Sequence, residues 1–112
     1  MSKKKKSDKQ GGSGVDLLDK DKSKDRLQKP SKYNVIFHND DYTSMLFVAT
    51  ILVMIFRRDQ KTAWSITNDI HDKGKGIAGG PYSKEIAETK ATRTMESARH
   101  AGYPLLATVE KV

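Results

Sequence analysis

Residues 32–58 read KYNVIFHNDDYTSMLFVATILVMIFRR, and the change of pattern inside this stretch decides the fold. From Lys32 to His38 the side chains alternate, with Tyr33, Val35 and Phe37 on one face and Asn34, Ile36 and His38 on the other. That period of two marks a β-strand. Asn39, Asp40 and Asp41 end it. Thr43 is a good N-cap for a helix that runs from Ser44 to Arg57 or Arg58, with both arginines at the helix's negative end. The apolar run Met45–Phe56 is 12 residues long, short of the roughly 20 that span a bilayer, so it predicts a buried helix.

The pattern continues toward the C-terminus. Asp59 caps a second helix through Lys73, and Gly74 stops it. Lys75–Tyr82, rich in Gly and containing Pro81, suits a short strand or a loop. Ser83 caps a third helix that reaches His100 and breaks at Gly102, after which Leu105–Val112 alternates into a last strand. The order β-α-α-(β)-α-β predicts an α+β fold, a small sandwich of a three-stranded antiparallel sheet packed against three helices.

Toward the N-terminus the composition changes. Residues 1–30 hold ten Lys or Arg against five Asp, so they carry 10 − 5 = +5 of the chain's +7, and residues 31–112 carry 7 − 5 = +2. This part has few apolar residues and a linker-like Gln10-Gly11-Gly12-Ser13-Gly14 stretch, too little to offset the entropy of ordering it. The division expected is a disordered basic extension, residues 1–30, with Val15, Leu17, Leu18 and Leu27 as docking points, and a core domain, residues 31–112. Neither a secretory nor a transit signal is recognisable, and cysteine is absent, in keeping with a cytoplasmic chain. His38 and His100 have no partner at metal-ligand spacing, so no metal or other cofactor is expected.

The corner Asn39-Asp40-Asp41 has two readings. One is turn chemistry, since Asn and Asp bond their own backbone and start helices. The other follows from the helices. Thr67, Ile70, His71 and Gly74 share one stripe of the second helix, and Met45, Val48 and Leu52 share one of the first. An antiparallel hairpin of the two brings Asn39 and Asp40 near His71, with Met45 and Val48 alongside, a polar rim over an apolar pocket. Acceptors with no Lys or Arg among them suit a cation with several N–H donors, such as a free α-amino group.

These residues resemble the ClpS adaptors, a family that hands substrates bearing an N-degron to the Clp AAA+ unfoldase and protease. The match runs from about Tyr33 to the end through Asn39-Asp40-Asp41-Tyr42-Thr43, Phe47-Val48, His71-x-x-Gly74-Lys75, Ala87-Glu88-Thr89-Lys90 and Pro104-Leu105-Leu106. The resemblance implies a non-enzymatic bacterial adaptor, monomeric, that binds proteins by a bulky apolar N-terminal residue. It places Asn39, Asp40, Asp41 and His71 at the α-amino group and first peptide unit. Thr43, Met45, Val48, Thr67, Ile70 and Leu105 would line the side-chain pocket. Glu85, Glu88, Thr89 and Lys90 would contact the N-terminal domain of a Clp-type Hsp100 unfoldase, ClpA or ClpC, which would engage residues 1–30 during delivery.

The chain departs from the family pattern at four places. Ser44 stands where Pro is usual and Leu46 where Glu would complete a capping box. Gly79-Gly80-Pro81 is one residue longer, and Thr67 replaces a Met that narrows the pocket. Two other classes stay open: a basic nucleic-acid or ribosome-associated protein, and a docking-only modulator of the unfoldase. No aromatic residues interleave with Lys3–Lys6, so nothing supports a specific nucleic-acid site, and no membrane partner is expected.

Overall fold

A computed structural model describes residues 30–112. The expected disordered extension, with Val15, Leu17, Leu18 and Leu27, lies outside the described residues. Those described form strand β1 (Tyr33–His38), helices α1 (Met45–Met54) and α2 (Gln60–Lys73), strand β2 (Lys75–Tyr82), helix α3 (Lys84–Ala101) and strand β3 (Leu106–Lys111). The sheet order is β2-β1-β3, and its pairing is antiparallel throughout, as the order of elements predicted. The stretch left as strand or loop is therefore an edge strand. α3 lies across the sheet, α2 packs on β2, and α1 packs on α2.

Val35 and Phe37 point into the core with no exposed surface, as the period of two required. Ile36, on the opposite face, is also buried, because the central strand sets it directly between Ile77 of β2 and Thr108 of β3. β2 bulges where it pairs with Tyr33 and Val35. Gly79 sits at that irregularity, and a Cβ there would come within 2.8 Å of the Phe56 ring. The missing side chain is what lets α1's end close onto the strand.

Two helix boundaries differ from expectation. α1 is capped by Ser44, whose hydroxyl accepts from Phe47 N–H at 3.3 Å, and not by Thr43. The Thr43 hydroxyl is already spent, donating to Asp40 Oδ2 at 2.7 Å. The same helix stops at Met54, short of the arginines, because Phe56 must turn inward to meet Phe37 edge-on at 5.4 Å. Arg57, at φ 58°, makes that turn. The final carbonyls of α1 find donors elsewhere. Arg58 N–H donates to Leu52 O at 3.1 Å and Lys90 Nζ to Ile55 O at 2.9 Å. α2 and α3 keep their expected caps, Asp59 with Gly74 and Ser83 with Gly102, each glycine at positive φ.

Candidate functional site

One backbone hydrogen bond positions the site. Asn39 N–H donates to Gly74 O at 2.9 Å, which pins the corner after β1 to the residue that ends α2. The start of α1 therefore lies beside the last turn of α2, and a pocket opens between them. Its walls are His38, Asn39, Asp40, Thr43, Met45, Val48, Thr67, Ile70, His71 and Leu105, around a narrow cleft whose empty space is some 270 Å³ with the open solvent at its mouth included. Four elements or their ends contribute: the end of β1, the start of α1, the inner stripe of α2 and the residue before β3.

At the corner Asp40 supplies the turn bonds and keeps an acceptor position to spare. Asp40 Oδ1 accepts from the backbone N–H groups of Tyr42 at 2.8 Å and Thr43 at 2.7 Å, and Oδ2 accepts from the Thr43 hydroxyl. This is the turn chemistry that Asp supplies before a helix. A carboxylate has about four acceptor positions, so three bonds leave one on Oδ2, together with the charge. Partial burial pushes the Asp40 carboxyl up, but the Thr43 hydroxyl and the two backbone donors outweigh it and hold the group below its ordinary value of 3.8. Among the described residues the Asn39 amide and the His71 ring make no hydrogen bond, so both are unspent at the rim. None of the lining residues is Lys or Arg.

Below the rim the walls are apolar. Val48, Ile70 and Leu105 are buried, and Met45 is 37% exposed at the mouth. Thr67 is 2% exposed, and its hydroxyl donates to Ala63 O one turn back at 2.7 Å. That bond occupies the hydroxyl's proton within α2, so Thr67 brings no free donor to the wall.

All of the expected rim and pocket residues except Asp41 line this space. Asp41 is exposed in the turn and lies outside it. His38, considered in the sequence only as a metal ligand, is a wall residue, its Nε2 2.8 Å from the Thr108 hydroxyl. Its place directly before Asn39 was the available signal. Trp64, 40% exposed, is not part of the pocket. Among the described residues, no three His, Asp or Glu side chains gather as a metal site would require, and no helix is long and apolar enough to cross a membrane.

On α3, Glu85, Glu88 and Thr89 line a shallow open groove with Thr92 and Arg93. Lys90 does not join them. Its ammonium sits on the Ile55 carbonyl and over the rings of Phe56 and Tyr82, 5.6 and 5.5 Å from their centroids. The placement ties α3 to the end of α1 and removes Lys90 from the exposed stripe. Helical spacing carried this signal, because Glu85, Glu88, Thr89 and Thr92 stand at i, i+3, i+4 and i+7, and Lys90 falls off that row.

Comparisons with known proteins agree on one family. Residues 28–108 match the family model described as ATP-dependent Clp protease adaptor protein ClpS. The chain is 46% identical over 88 residues to the ATP-dependent Clp protease adapter protein ClpS of Lawsonia intracellularis, covering 79% of this chain and 80% of the relative. Identity to the protein of the same name from Nitratidesulfovibrio vulgaris is 42% over 102 residues, 91% of this chain and 97% of the relative. Among solved structures, Agrobacterium tumefaciens ClpS2 bound to L-phenylalaninamide superposes with a TM-score of 0.72 at 33% identity, over 75% of this chain and all of that one.

Proposed function

The chain belongs to the ClpS family of ATP-dependent Clp protease adaptors, and from that membership we propose that its pocket captures proteins by a free N-terminal residue with a bulky apolar side chain. The observation that carries the reading is the combination of an unspent amide, an unspent imidazole and a held carboxylate above apolar walls, with no cation among them. In this reading Asn39, Asp40 and His71 take the three N–H donors of the α-amino group and the first peptide unit. Asp41 contributes charge from outside the rim. Thr43, Met45, Val48, Thr67, Ile70 and Leu105 hold the side chain. The ligand named with the Agrobacterium protein has this chemistry, a free α-amine, an apolar side chain and an amide carbonyl.

Magnitudes require both halves. A hydrogen bond to a charged group contributes about 1.5–3 kcal/mol, and burying a large apolar side chain about the same. Micromolar affinity needs about 8 kcal/mol net of association costs, so neither contact alone suffices. Specificity for a chain terminus follows, because an internal residue offers the side chain without the cation.

Delivery belongs to the same proposal. Glu85, Glu88 and Thr89 on the α3 groove face the N-terminal domain of a Clp-type Hsp100 unfoldase. Lys90 holds that helix in place, and the basic residues 1–30 are taken up by the unfoldase. No catalytic step is assigned to this cytoplasmic adaptor.

The test is fluorescence anisotropy with peptides that differ only in residue one, Leu, Phe, Tyr, Trp, Ile, Val and Met, beside an N-acetylated Phe peptide. Binding in the micromolar range that acetylation abolishes is expected, and Ile and Val are accepted because Thr67 leaves width where Met would not. Equal binding of the acetylated peptide would remove the α-amino group from the account.

A further inference from the structure

We propose that the exposed apolar flank of the α1 start, Tyr42 and Leu46, is a second subsite that takes an apolar side chain from residue two or three of the bound polypeptide. The inference rests on the N-terminal recognition proposed above and extends it beyond the first residue. Surface helices ordinarily turn a polar face outward. α1 does not: no residue from Tyr42 to Phe56 is charged, and its outward row is Leu46, Thr50 and Met54. Even Thr50 offers no free donor, since its hydroxyl donates to Leu46 O at 2.8 Å.

Two of the exposed apolar residues flank the pocket, while Met54, at 71%, lies farther along the same row. Tyr42 is 77% exposed and Leu46 65%, and Met45 between them is a wall of the pocket. A polypeptide whose N-terminus sits in the pocket must leave over one of the rims. Over the end of α2 it would meet exposed His71, Asp72 and Lys73, the last already paired with Asp69 at 3.8 Å. Over the start of α1 it meets Tyr42 and Leu46, and beyond Asp41 no charge on that helix has to be desolvated when an apolar side chain sheds water there. Continuity with the pocket mouth thus identifies the occupant as the substrate chain itself.

Reach limits the subsite. An extended chain advances about 3.3–3.6 Å per residue, so residues two and three lie within about 7 Å of the mouth. Met54, eight residues beyond Leu46 on α1, is about 12 Å farther along the helix at 1.5 Å per residue. It shares the chemistry of the row but lies beyond those residues, which makes it the control.

The experiment measures anisotropy of the full chain with peptides that begin with the same Phe and carry Ala, Leu or Asp at residue two or three. Leu in place of Ala is expected to tighten binding about three- to tenfold, as partial burial of one apolar side chain provides. Leu46→Gln should erase that gain and Met54→Gln should keep it. A gain that survives Leu46→Gln combined with Tyr42→Ser would overturn the proposal. So would equal affinities across the series while acetylation of Phe still abolishes binding, an outcome that leaves N-terminal recognition intact. If no peptide binds, both readings fall together. Sedimentation showing a dimer that Leu46→Gln dissolves would assign the flank to a second copy of the chain and overturn the subsite.

Discussion

Replacing Asp40 with Asn is expected to weaken binding of an N-terminal Phe peptide by about 10- to 150-fold, the loss of about 1.5–3 kcal/mol that accompanies a charged acceptor. The substitution isolates the charge. Asn retains a carbonyl oxygen in the place of Oδ1 for the Tyr42 and Thr43 N–H groups, and its amide can donate to the Thr43 hydroxyl, so the turn before α1 survives. Asp40→Ala removes the turn bonds as well and should bind no better than the Asn variant. Titration calorimetry beside a thermal melt separates the two effects: affinity falls while the melting curve of Asp40→Asn stays close to that of the parent. An unchanged affinity would mean that the carboxylate serves only the turn.

The same group sets a pH dependence whose sign is fixed. Its folded-state value lies below the ordinary 3.8, so the carboxylate stays ionised through the neutral and mildly acidic range. Its contribution to the turn is present above the unfolded value and fades as pH falls through the lowered one. Loss of the charge from the pocket follows the same course.

The largest effect on stability is expected from Phe37→Ala. Phe37 is fully buried at the centre of the sheet and meets Phe56 edge-on at 5.4 Å, joining β1 to the turn that ends α1. Truncating such a ring costs about 3–5 kcal/mol through lost burial and the cavity left behind. Against a typical total of about 5–15 kcal/mol, that is a large share. The midpoint of thermal unfolding should drop by about 12–40 °C at roughly 4–8 °C per kcal/mol. A drop of only a few degrees in circular dichroism melts would show that the core repacks around the gap and that the Phe37–Phe56 contact is not central.

Legibility in the sequence tracked how local each signal was. Tyr33–His38 alternated, Asp59 and Gly74 bracketed α2, and Ser83 and Gly102 bracketed α3. Each depends on neighbours within a turn or a strand, and each held. Helical spacing put Thr67, Ile70 and His71 on one stripe and Met45 and Val48 on another, and these line the pocket, whereas Thr43 and Leu105 were placed there only by the family resemblance. What was missed depends on long-range contacts. The cap of α1 passed from Thr43 to Ser44 because Asp40 claims the Thr43 hydroxyl, and two adjacent hydroxyl residues give no local way to choose. The end of α1 is set by Phe56 reaching Phe37 of the sheet, so the apolar run overstated the helix. Lys90 was placed on the docking row by family position, and its ammonium's contact with a carbonyl 35 residues away in sequence had no local signal. That the Thr67 hydroxyl turns back to Ala63 and brings no free donor to the pocket was likewise not readable from the sequence.

The central claim, that the space between the starts of α1 and β3 and the end of α2 holds an N-terminal residue, is tested most directly by titrating the isotope-labelled full chain with L-phenylalaninamide and mapping backbone amide shifts. The account predicts saturable changes concentrated at residues 38–48, 67–71 and 105, absent with N-acetyl-phenylalaninamide. Shifts confined to residues 85–93 of α3, or a spectrum that does not respond, would contradict it.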